Sequence, residues 1–95
     1  MEAMLVKHEK VTDELGNMVE IKLWRIPPTP DKSHGFKYSL VYIVAGRRVI
    51  GYDNGERKGD HRHYSDREEP YVFVSLRRLV DDFLADVENF KRSKS

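Results

Sequence analysis

Between residues 18 and 53 the apolar positions recur with a period of two. Val19, Ile21 and Leu23 alternate with Glu20, Lys22 and Trp24. Phe36, Tyr38, Leu40, Tyr42 and Val44 then share one face of a second stretch, with Lys37, Ser39, Val41 and Ile43 on the other. Alternation of this kind marks half-buried strands. Asp13, Glu14, Gly16 and Asn17 supply turn chemistry before the first of these runs, and the apolar Ala3, Met4, Leu5 and Val6 precede it. Ala45 and Gly46 make a tight turn after the second, with Gly46 free to take positive φ. The pattern predicts strands over 2–8, 18–26, 36–45, 48–53 and 70–75, the last carried by Tyr71, Val72, Phe73 and Val74. Pro27, Pro28 and Pro30 cannot donate to a sheet and read as a stiff connector between hairpins.

The period changes after Ser75, a residue suited to cap a helix N-terminus. Leu76, Leu79, Val80, Phe83, Leu84, Val87 and Phe90 recur at steps of three and four, predicting an amphipathic helix over 76–91. Asp81, Asp82 and Asp86 read as its solvated edge. The expected architecture is α+β: an antiparallel sheet of about five strands with one C-terminal amphipathic helix packed on one face, all in a single domain over 1–95. One helix cannot shield five strands, so the sheet is expected to curl or to pair with a second copy as a homodimer.

Composition narrows the function classes. Lys plus Arg is 17 and Asp plus Glu is 16, a formal net charge of +1, which excludes the strongly basic footprint of a protein held to nucleic acid by phosphate contacts alone. The 95 residues include no cysteine, which removes disulfides, thiolate metal sites and a Cys nucleophile. The first residues form neither a signal peptide nor a membrane span, so a cytoplasmic location without membrane contact is expected.

The chemistry concentrates in the long polar segment over 54–69, expected to be a loop with a short strand at 61–64. Loops beyond roughly 12–15 residues are often functional. Arg57, Lys58 and Arg62 crowd there with His61 and His63. If residues 61–64 are extended, both imidazoles point to one side and Arg62 and Tyr64 to the other.

Three readings compete. In the first, His61 and His63 exchange a proton during attack of a ribose 2′-hydroxyl, Arg57, Lys58 and Arg62 stabilise the phosphorane charge, and Tyr64 stacks on a base or donates a proton. No cofactor is required. In the second, His61 and His63 join Asp53 or Asp60 around a metal ion, with no fourth ligand evident. In the third, the charged side chains tie the loop down, as in pairs of Arg62 with Glu68 and Glu69, each contributing about 0–1 kcal/mol. Tyr38, Tyr42 and Tyr52 read as sheet packing, Tyr52 also as a base platform on an open face. Trp24 reads as a packing anchor, His34 as exposed, and His8 carries no signal.

Five segments together carry a resemblance: residues 37–43, 51–54, 58–64 (Lys58, Gly59, Asp60, His61, Arg62, His63, Tyr64), 69–73 and 82–87. They resemble TumE-type toxins of prokaryotic toxin–antitoxin systems over roughly residues 18–90, the run over 58–64 being the most specific. The resemblance implies a partner antitoxin, usually a helix-turn-helix protein, and, by analogy with other toxins of this size, action on RNA. It implies no catalytic residue set. A non-catalytic binding or dimerisation module and a metal-dependent enzyme are the alternatives.

Overall fold

Each alternating run of the sequence forms a strand that pairs with its immediate neighbour in the chain. The computed structural model describes residues 3–30, 32–55 and 59–93. Six strands, β1 (Met4–Thr12), β2 (Met18–Arg25), β3 (Phe36–Val44), β4 (Arg47–Asp53), β5 (His61–Tyr64) and β6 (Arg67–Pro70), lie in sequence order in one antiparallel sheet. One helix, α1 (Leu76–Ser93), follows.

The register decides which side chains meet the helix. Ile21, Leu23, Tyr38, Leu40, Tyr42, Ile50 and Tyr52 point to one face and form a buried core with Leu79, Phe83 and Val87 of α1. The Ser75 hydroxyl accepts from the Arg78 N–H at 3.0 Å, the cap expected from the sequence. The helix covers β3 and β4. The opposite face carries Trp24, with Lys37 stacked over its ring at 5.5 Å, together with Ser39 and Asp53. No described helix is long and apolar enough to cross a membrane.

The sheet has six strands where the alternation predicts about five. Of the strand expected over 70–75, only Pro70 is in a ladder, and residues 71–75 are an irregular link: Val72 is 80 % exposed and Val74 67 %. The strand that pairs with β5 is Arg67–Pro70, every residue of it exposed. An edge strand of two acids, an arginine and a proline blocks further pairing, and it carries no apolar alternation to betray it. Ser65, at φ 60, turns β5 into β6, so most of the segment expected as loop is a hairpin. Strand β1 runs to Thr12, beyond the expected limit, and the helix continues to Ser93.

Candidate functional site

Pairing of β4, β5 and β6 builds the site. Asp53 lies opposite His61, Gly51 opposite His63, and Glu68 opposite His63 on the other side. With side chains alternating along each strand, Asp53, His61, His63 and Glu68 share the face away from the helix. His61 Nε2 lies 2.9 Å from Asp53 Oδ1 and 3.5 Å from Glu68 Oε2. His63 Nε2 lies 3.1 Å from the same Glu68 oxygen and 4.0 Å from Asp53 Oδ2. The two imidazole planes stand nearly perpendicular, at 78°, with centroids 5.2 Å apart. A groove of ≈ 220 Å³ lined by Asp60, His61, Glu68, Glu69 and Pro70 opens beside them.

The surroundings hold the rings in place. His61 Nδ1 is 3.1 Å from the Gly59 carbonyl, and Gly59, at φ +73, takes a left-handed backbone that an L side chain rarely adopts. Gly51 performs a different task. A Cβ there would stand 2.9 Å from Arg48 Cδ, so the absent side chain lets the Arg48 stem lie across β4. Desolvation, and then the Arg48 charge, hold the His63 imidazole below its ordinary value and favour its neutral form.

The structure separates residues that the sequence places in one constellation. Arg62 projects to the helix face, where its guanidinium meets Glu69 at 2.6 Å, the Tyr52 hydroxyl at 3.1 Å and Asp86 at 3.2 Å. Tyr64 lies on the same side, its ring 6.5 Å from Phe90. Tyr52 is fully buried and offers no platform to a base. Arg57 and Lys58 lie outside the described residues.

Asp60 is turned away from the two histidines. It accepts hydrogen bonds from the Tyr38 hydroxyl at 2.9 Å, from the Asn54 amide at 3.1 Å and from His34 Nε2 at 3.0 Å. Because the Phe36 N–H donates to His34 Nδ1, the ring proton sits on Nε2 and points at Asp60. His34 is therefore a tethered residue stacked on Phe73 at 4.0 Å, rather than an exposed one. Nor are Asp82 and Asp86 a solvated edge: they accept the hydroxyls of Tyr71 and Tyr52.

Glu68 and Arg48 lie beside the two imidazoles, and the sequence alone does not mark either of them as a site residue. The spacing of Glu68 from His63 becomes informative only once a hairpin turn is placed at residues 65–66. Arg48 had one signal, a glycine inside a strand three residues later, which marks close approach of another group.

No curated protein and no solved structure matches the chain. The family model described as Toxin TumE matches residues 3–91, nearly the whole chain, and the protein belongs to that family of toxins.

Proposed function

We propose that the protein is the toxin of a toxin–antitoxin pair and acts on RNA at the Asp53–His61–His63–Glu68 cluster. The observation that carries this reading is the convergence of two imidazoles on the sheet face away from the helix, the buried His61 forming one wall of a groove. Cleavage by 2′-hydroxyl attack needs a proton acceptor, a proton donor and positive charge near the phosphate. His63, held toward its neutral form, is suited to accept the proton. His61, its ring fixed by the Gly59 carbonyl, is the other partner in the exchange. Arg48 takes the charge-stabilising part, since Arg62 is engaged on the opposite face.

Membership of a toxin family implies an antitoxin partner in general. In our reading that partner is a helix-turn-helix protein and the toxin works in the cytoplasm, where its RNA is. Inducible expression of the full chain should arrest growth and degrade RNA. His63→Gln and the double variant His61→Ala with His63→Ala should relieve both effects while keeping the wild-type circular dichroism spectrum. Undiminished toxicity of a folded variant rejects the assigned roles.

One observation favours a second reading, a non-catalytic binding module. Strand β1 is an edge, and its Met4, Leu5, Val6 and Val11 are all exposed. Such a strand can add a partner strand or a second copy. Light scattering that finds a dimer, combined with intact RNA after expression, would favour it.

A further inference from the structure

We infer that Asp53, His61 and His63, with Glu68 beside the two imidazoles, form a binding site for one divalent transition-metal ion of the zinc class. Asp53, His61 and His63 each offer one donor atom, all within 4.8 Å of one another, and a Glu68 oxygen lies 3.1 Å from His63 Nε2 and 3.5 Å from His61 Nε2. Ligands at zinc distances of roughly 2.0–2.2 Å stand about 3.0 Å apart when at right angles and about 3.4 Å apart in a tetrahedron. The 2.9, 3.1 and 3.5 Å separations fall near those values, and the 4.0 Å from His63 to Asp53 closes with a side-chain rotation. A mixed nitrogen–oxygen set suits this class of ion better than magnesium or calcium, which prefer oxygen alone.

Two further features point the same way. With Nδ1 directed at the Gly59 carbonyl, His61 turns its Nε2 toward an Asp53 oxygen 2.9 Å away. Orientation of a ring by a backbone carbonyl on its far nitrogen is how metal-ligating histidines are held. The second feature is the contrast with other carboxylates. Asp60 takes hydrogen bonds from Tyr38 and Asn54, Asp13 lies against Tyr42 and Lys91, and Asp86 against Tyr52 and Arg62. Among the described residues, Asp53 and Glu68 face imidazoles alone.

The inference deepens the reading above and rests on it only for what the ion does. A loaded site commits both Nε2 lone pairs to the metal, so in the loaded protein the imidazoles serve as ligands in place of the proton exchange assigned above, and the ion supplies the positive charge near a phosphate. Binding itself requires no substrate.

The test uses the purified full chain, stripped with a chelator and titrated with Zn²⁺ by calorimetry and with Co²⁺ by visible absorption. One ion per chain is expected, with a cobalt ligand-field spectrum. His63→Gln and Glu68→Gln should each weaken binding about tenfold or more, and His8→Ala should leave it unchanged. Glu68 is on an exposed edge strand, so its variant keeps the fold. Absence of stoichiometric uptake, or uptake indifferent to both the His63 and Glu68 variants, overturns the site. The growth assay separates the two ideas. Ion binding with growth arrest unaffected by cluster variants leaves the site standing and rejects the RNA reading. Cluster-dependent growth arrest without ion binding does the reverse.

Discussion

The Tyr52 hydroxyl donates to the Asp86 carboxylate at 2.5 Å, joining the buried centre of β4 to the middle of the helix. Arg62 closes a triangle by bonding both groups from β5. Burial, and then the hydrogen bond to Asp86, push the Tyr52 hydroxyl far above its ordinary value, so it remains a donor. Asp86→Ala removes the acceptor and leaves a buried hydroxyl without it. Hydrogen bonds to charged groups contribute about 1.5–3 kcal/mol, and a loss of that size is expected in urea denaturation. A cycle with Tyr52→Phe should show the two losses to be strongly non-additive.

Asn54 sits at the end of β4 with no exposed surface. It accepts from the Tyr38 N–H at 3.0 Å and donates to the Phe36 carbonyl at 2.9 Å and to Asp60 at 3.1 Å. Asn54→Ala should cost at least about 2 kcal/mol, because buried backbone groups lose their partners. Asn54→Asp should be no better, since a carboxylate cannot donate. Thermal denaturation monitored by circular dichroism checks both.

The β1–β2 turn is anchored by a carboxylate. Asp13 accepts the Tyr42 hydroxyl at 2.8 Å and the N–H groups of Leu15 and Asn17 at 2.9 Å, with Lys91 of the helix 3.4 Å away. Desolvation alone would raise its pKa, but these hydrogen bonds and the lysine charge outweigh it and the net shift is downward from 3.8. A depressed folded-state value means that this contribution is complete above the unfolded value and is lost as pH falls through the folded one. Urea midpoints should therefore fall below about pH 4, and Asp13→Asn should flatten that slope.

Gly59 holds a left-handed φ and aims its carbonyl at His61. Nothing lies within 4 Å of a Cβ built there, so Gly59→Ala strains the backbone without a clash. A stability loss of about 1 kcal/mol is expected from chemical denaturation. Release of the His61 ring should appear as a changed Nδ1 proton resonance in metal-free protein.

Much of this arrangement is legible before any coordinates. The alternation over 18–53 gives the central strands, Ser75 gives the helix start, and the spacing of two puts His61 and His63 on one side while sending Arg62 and Tyr64 to the other. The β5–β6 hairpin is not legible because Arg67, Glu68, Glu69 and Pro70 hold no apolar face, and Ser65 takes a positive φ that its identity does not announce. The choice between Asp53 and Asp60 is equally hidden. Both neighbour the histidines in sequence or register, and only the ladder decides that one faces them while the other reaches back to Tyr38. The apolar spacing of Tyr71 and Phe73 imitates a strand because both rings pack on the core without joining the sheet.

The meander places the four histidine-cluster residues on its last three strands; the helix packs on the inner one, β4, and meets β5 through the Arg62 and Tyr64 side chains. Glu68 rides on β6, a ladder of four residues with a free outer side. Peripheral ladders open at a small fraction of the global unfolding free energy. Peeling of this rim would dismantle the cluster while Tyr38, Leu40 and Phe83 stay packed. Amide exchange should accordingly be fast in β6 and slow in β3, with the histidine cluster straddling the boundary between a fraying rim and a fixed centre.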